Sequence, residues 1–342
     1  MNCHLLIPSL FLPAGAGAEP YRNLDLPALE TVLARGALTR LPGISLERWL
    51  AAAFRIAPQY DLPLAALSLR GEGADPRDSC WVRADPVHLQ LYRDRLLLAD
   101  SSCLEITKSE AAAMVVALNA HFRADDIEFF APVPDRWYAR LPDAPRILTT
   151  PTLEAAGRTI DGLLPQGEDG ARWRRFLNEA QMILHDHPCN AAREARRQLP
   201  VNSVWPWGAG RLPEIPRQSP YAAVWSSQPL ATGLARTVGV PERALPQSGG
   251  EFLRQAGEGT AERAELVLLD TLRGGEPGTW RTRLAGLEAH WFAPLLAAVK
   301  RGTLKALAVH ALGPDGTCAG TYTRLDRYKW WRTRRPLAAY AP

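Results

Sequence analysis

The feature that most constrains this chain is an alternation in its second half. Three apolar runs, Ala222-Ala-Val-Trp225, Ala264-Glu-Leu-Val-Leu-Leu-Asp270 and Leu304-Lys-Ala-Leu-Ala-Val-His-Ala311, are separated by stretches of helical periodicity at about 229–238, 251–256 and 280–299. Strands that read as nearly continuous apolar runs are buried on both faces, and strands joined through helices pair in parallel. The pattern predicts an α/β core, a mainly parallel sheet covered by helices. A first strand at residues 5–7 and a helix over 26–36, with proline at its second position and glycine at its end, fit the same scheme. Ser45 is placed to cap a further helix over 46–54.

The stretch between 59 and 149 reads differently. Residues 80–98 form a hairpin pattern around Arg93-Asp94, and Thr107-Lys-Ser-Glu110 is a capping box ahead of a helix over 111–122. Strands follow at 127–130 and 136–141, while 62–69 fits either a strand or a helix. The expectation is an inserted α+β domain over 59–149, closed by the proline-rich 142–151, within a core made of 1–58 and 150–342. Next comes a helix over 172–186 with Trp173, Phe176, Leu177, Ala180 and Leu184 on one stripe, ended by Pro188.

Charge and cysteine usage exclude several classes. Forty basic and 36 acidic residues, a net charge of +4, are too evenly spread for a surface that coats nucleic acid, and only residues 322–342 are locally basic. There the basic groups surround Tyr328, Trp330 and Trp331; the plain reading is a solvated edge strand held by aromatic anchors, and the sharper one an anion or RNA contact. No apolar run approaches the roughly 20 residues that span a bilayer. The first residues lack the basic start of an export signal. Five cysteines without a C-x-x-C pair suggest neither zinc knuckle nor disulfide framework, so reduced thiols and a cytoplasmic setting are expected.

Chemistry is expected near Leu199-Pro-Val-Asn-Ser-Val-Trp-Pro-Trp-Gly-Ala-Gly-Arg-Leu-Pro213 and the preceding Gln181-Met-Ile-Leu-His-Asp-His-Pro-Cys-Asn190. Candidate ligand-binding residues are His187, Asn190, Arg193, Asn202, Trp205, Trp207, Gly208, Gly210 and Arg211. Glycines here allow backbone N–H groups to approach an anion, with Arg211 as a bidentate partner. The competing structural reading is a tight loop whose tryptophans plug the core. His185-x-His187 resembles a metal pair, but residues two apart on a helix point about 200° apart, which favours a pair at a helix end.

Trp81-Val-Arg-Ala-Asp-Pro-Val-His-Leu89, Arg136-Trp-Tyr138, Asn178 to Asn190 and Val201 to Gly210 resemble, in order, the signature blocks of RpfE-type regulatory proteins. The tryptophan stretch, with the strand and helix after it, is more distantly similar to archaeal-type cofactor-independent phosphoglycerate mutases of the alkaline phosphatase superfamily. The resemblance implies an α/β core from both ends of the chain with a lid-like insert. It also implies two divalent metals, such as manganese or zinc, on Asp and His side chains, and a Ser or Thr nucleophile. The chain departs from that pattern: no carboxylate follows Ile7 before Glu19, and no histidine follows Asp270 before His290. Ser9 and Ser45 are the serines in place for a nucleophile, with nothing nearby to activate either. The expectation is a metal-free, catalytically silent, regulatory or sensing relative that needs no cofactor; the alternative is an active cofactor-independent phosphoglycerate mutase or phosphatase holding two divalent metals. Its partners would be a small anionic metabolite and a regulatory protein, with neither membrane nor nucleic acid.

Overall fold

The computed structural model describes residues 1–215, 219–257, 263–273, 277–313 and 315–342. It divides into two units, 1–54 with 216–342, and 55–215. Along the chain come β1 (Asn2–Pro8), α1 (Pro27–Arg35), β2 (Ala37–Leu41) and α2 (Leu46–Ala53). The second unit holds α3 (Leu64–Gly71), β3 (Cys80–Tyr92), β4 (Arg95–Ala99), α4 (Lys108–Phe122), β5 (Glu128–Val133), β6 (Arg136–Leu141), α5 (Thr152–Ala155), α6 (Gly170–His185), α7 (Pro188–Ala195) and β7 (Ser203–Gly210). The first unit resumes with β8 (Tyr221–Trp225), α8 (Pro229–Val238), β9 (Glu242–Arg243), α9 (Gly249–Ala256), β10 (Ala264–Leu268), α10 (Pro277–Leu287), a π-helical turn (Glu288–Phe292), α11 (Ala293–Arg301), β11 (Ala306–Leu312) and β12 (Thr317–Thr323).

The first unit is built on a seven-stranded sheet ordered β2-β12-β11-β1-β10-β8-β9. β1 pairs in parallel with both β10 and β11, and β10 with β8, as the alternation predicts. Only β12 runs against its neighbours β11 and β2. One face packs Leu5, Ile7, Val267 and Val309 against α1, α9, α10 and α11 through Leu29, Val32, Phe252, Leu284 and Leu295. The opposite face meets α2, where Trp49 lies on His310 and Phe54 on Tyr221. Ser45 caps α2 as expected, its hydroxyl accepting from the Arg48 N–H at 3.4 Å.

The second unit is a five-stranded antiparallel sheet, β4-β3-β6-β5 with β7 paired to β3. Its hairpin turns at Arg93-Asp94, and the α4 capping box is complete, Thr107 and Glu110 each holding the other's backbone N–H. This unit, residues 55–215, is larger than the 59–149 insert expected from the pattern of elements. The middle of the stretch 199–213 is no loop: residues 203–210 are β7, buried along its whole length and paired with β3 from Trp81↔Gly210 to Val87↔Ser203. α6 goes with it, because Trp173, Phe176, Leu177 and Leu184 enter the same core as Val82, Trp137 and Val204. The prolines at 142–151 therefore mark no exit from the unit.

Three local readings also change. Residues 64–71 are a helix, α3, so the ambiguous run resolves against a strand. Pro188 ends α6 but also opens α7 at its first position, where its missing N–H costs nothing. Residues 324–328 are a 3-10 turn, and the edge strand expected in the basic segment is instead β2. The last part of the loop after Asp270 that the metal expectation concerned, residues 274–276, lies outside the described residues.

Candidate functional site

α7 positions three of the sequence-predicted residues, and each is committed to the protein. His187 caps the helix, its Nδ1 accepting from the Cys189 N–H at 3.2 Å. Asn190 is buried; its amide donates to the carbonyls of Leu184 (2.6 Å) and Val201 (2.9 Å) and accepts from the Val201 N–H at 2.8 Å. Arg193 is fully buried and donates to Leu199 O at 2.8 Å, Glu110 Oε2 at 3.0 Å and Leu104 O. A buried guanidinium needs such a complete set of acceptors.

The tryptophan strand is similarly committed. Asn202 clamps both backbone groups of Leu89, at 2.7 and 2.9 Å, and Trp205 donates to Thr150 O at 2.7 Å. Gly208 has φ +68°, and a Cβ there would stand 3.0 Å from that of Leu64 and 3.2 Å from Ala65 N. The glycine lets β7 lie directly on α3. Gly210 closes the same contact, and Arg211 turns its guanidinium to Asp78 O. Asn190, Arg193 and His187 thus gather at one end of β7 and Arg211 at the other.

Trp207 leads to a buried charge network that sequence reasoning missed. Its indole donates to Asp85 Oδ2 at 2.7 Å, which also accepts from Thr152 Oγ1 at 2.8 Å. Asp85 Oδ1 receives two bonds from Arg83, at 2.9 and 2.5 Å, and Arg83 Nη1 reaches Ser68 Oγ at 2.9 Å and the Tyr138 hydroxyl at 3.3 Å. The guanidinium lies over the rings of Tyr138 and Trp207, 4.8 and 5.1 Å from their centroids. Burial opposes its charge, but Asp85 keeps Arg83 firmly protonated; burial pushes the Tyr138 phenol up to about 12.

A different arrangement stands at the edge of the core sheet where β1, β8, β10 and β11 all end. Open α/β sheets bind ligands at this edge, where the strand order reverses. Ser9, just after β1, holds φ +59°, an uncommon conformation for a side-chain-bearing residue, and its carbonyl accepts from Trp280 Nε1 at 2.9 Å. Asp270, after β10, accepts from the Gln228 amide. Arg273 follows it and meets Glu47, in the first turn of α2, by a single contact of 3.5 Å. Glu47 Oε2 and Arg273 Nη1 are both buried and have no partner among the described residues. Each such atom carries a desolvation cost of about 1–3 kcal/mol until something bonds to it. The sequence signal was slight: an acid two residues after a capping serine, and an arginine in a glycine-bearing loop after a strand.

The implied metal pair can be tested against these donors. Among the described residues no three His, Cys, Asp or Glu side chains are grouped to hold an ion. At the sheet edge one carboxylate is taken by Gln228 and the other faces a guanidinium. A dication beside Arg273 would meet like charge, so the donor set present does not fit two metals.

No family model matches the chain. It is 26% identical over 159 residues to a probable 2,3-bisphosphoglycerate-independent phosphoglycerate mutase of Geobacter sulfurreducens, covering 46% of this chain and 40% of that protein. It is 28% identical over 176 residues to the 2,3-bisphosphoglycerate-independent phosphoglycerate mutase of Methanosarcina acetivorans, covering 49% and 43%. The chain is distantly related to the cofactor-independent phosphoglycerate mutases. The matches span less than half the length of these relatives. The fold agrees over nearly the whole chain with a cofactor-independent phosphoglycerate mutase of Thermoplasma acidophilum (TM-score 0.53, 18% identity, 100% of this chain and 95% of that one). A protein of Pyrococcus horikoshii superposes with TM-score 0.57 at 13% identity over 94% and 87%. The α/β fold expected from the sequence is therefore present and shared with these structures, a mainly parallel core sheet accompanied by an antiparallel sheet and helices.

Proposed function

We propose that this chain is a metal-free, catalytically silent relative of the phosphoglycerate mutases that senses an anionic, phosphorylated metabolite and passes its presence to a regulatory protein partner. The observation that carries the reading is the Glu47–Arg273 pair at the strand ends, with one orphaned buried donor and one orphaned buried acceptor. A phosphorylated hydroxy acid complements both: an anionic oxygen accepts from Arg273 Nη1, and a hydroxyl donates to Glu47 Oε2. The guanidinium supplies the positive charge that a metal would otherwise bring, without polarising bound water. The tryptophan strand then has a structural role, because its polar atoms are already bonded within the second unit.

Calorimetric titration of the metal-free protein with 3-phosphoglycerate tests this, alongside metal analysis and a mutase assay in added manganese. Binding without metal and without turnover is expected, weakened about tenfold or more in Arg273→Gln through loss of a charge-assisted bond. Stoichiometric bound manganese or zinc, or measurable turnover, overturns the reading in favour of an active mutase or phosphatase.

A further inference from the structure

Against the sequence expectation of no membrane partner, we propose that residues 324–335 form a docking surface for an anionic lipid bilayer. Within these twelve residues stand Arg324, Arg327, Lys329, Arg332, Arg334 and Arg335 against the single acid Asp326, a local charge of +5 that leaves the other residues together at −1. The basic character of the protein is thus concentrated in one patch of the first unit. The patch also carries apolar groups that folding leaves in water: Leu325 is 74% exposed, Trp330 75% and Trp331 63%. A monomeric fold gains nothing by exposing two neighbouring indoles, whereas tryptophan is favoured at a membrane–water interface and arginine or lysine beside it reaches the headgroups.

The patch is ordered before any partner arrives. Asp326 closes a capping box with Thr323 and pairs with Lys329 at 2.5 Å. Arg332 donates to Gly36 O at 3.1 Å and Arg35 to Arg327 O at 3.3 Å, while Leu337 and Tyr340 are buried just beyond. Little entropy remains to be lost on docking.

Ring geometry favours lipid over single-stranded nucleic acid. Base stacking needs open aromatic faces along a groove. Here the Tyr328 face is covered by Arg327 at 4.5 Å, and Trp330 and Trp331 stand at 83° to one another, 6.0 Å apart. These two exposed indoles stand in a stretch of sequence dense in basic residues. No described helix is long and apolar enough to cross a membrane, so the contact is peripheral.

The test is co-sedimentation of the full chain with vesicles of phosphatidylcholine alone and of phosphatidylcholine mixed with phosphatidylglycerol, with a single-stranded oligonucleotide as the competing polyanion. Affinity about tenfold or more higher for the mixed vesicles is expected, falling with added salt. It should be lost in Trp330→Ser/Trp331→Ser, whose melting should match the parent because both side chains are exposed. Should that variant melt early, Arg334→Gln/Arg335→Gln decides, and must lose vesicle binding equally. Equal sedimentation with neutral vesicles, variants that bind like the parent, or oligonucleotide binding without vesicle binding overturns the proposal.

Discussion

Two charge pairs, a buried one in the second unit and a partly buried one in the first, differ in a way that separates scaffold from site. Around Arg83 and Asp85 the principal donors and acceptors meet protein: two bonds between the pair, then Thr152, Trp207, Ser68 and Tyr138. Glu47 and Arg273 share one long contact, and each keeps a buried atom with no partner among the described residues. A saturated buried pair fixes a fold, since breaking it strands a charge in low dielectric. An unsaturated pair has already been desolvated at a cost, and a ligand that bonds to it recovers part of that cost.

The sharpest way to break this contrast is Asp85→Ala. It leaves the Arg83 guanidinium buried without its carboxylate, and denaturant unfolding should show a loss of about 3–5 kcal/mol. A loss below about 1 kcal/mol would mean the network is not structural. A neutral pair offers an intermediate case. His310 Nε2 and His4 Nδ1 stand 3.2 Å apart, and burial, followed by the neighbouring His4 ring, pushes His310 down to about 4. The unfolded chain therefore takes up the proton first: the stabilisation is complete above about pH 6.5 and is lost as pH falls from there towards about 4, on the order of 2–3 kcal/mol. Unfolding free energies across that range should flatten in His310→Gln.

Gly208→Ala comes next, at about 1–3 kcal/mol, because the left-handed backbone and the close approach to Leu64 and Ala65 both oppose a side chain. A neutral effect in thermal melting would show that β7 can lift from α3. The smallest expected change sharpens the comparison most. Glu47→Gln should cost less than about 1 kcal/mol in stability, since only one long contact is weakened. Its effect should instead appear in the affinity for 3-phosphoglycerate; a large stability loss with unchanged binding would move Glu47 into the scaffold class.

Much of the architecture was legible because it rests on local chemistry. The alternation over residues 222–311, the Thr107 capping box, the Arg93-Asp94 turn and the apolar stripe of α6 each encode an element within a few residues. β2 was not legible: Ala37–Leu41 is an edge strand with mostly exposed side chains, so no apolar period marks it. The tryptophan stretch misled for the opposite reason. Its glycines and prolines are turn formers, but partners more than a hundred residues earlier draw it into a fully buried strand. The candidate site was equally hidden, since Glu47 and Arg273 are 226 residues apart and only the sheet brings them together.

The place of β1 bears on how the chain is made. This strand lies between β10 and β11, whose residues come some 260 and 300 positions later, while residues 55–215 draw their sheet pairings from within themselves. On the ribosome the interior segment is complete long before the first strand has a neighbour. The nascent chain therefore carries an apolar, unpaired strand ahead of a finished segment until β10 has been made, an interval in which it depends on shielding from other chains.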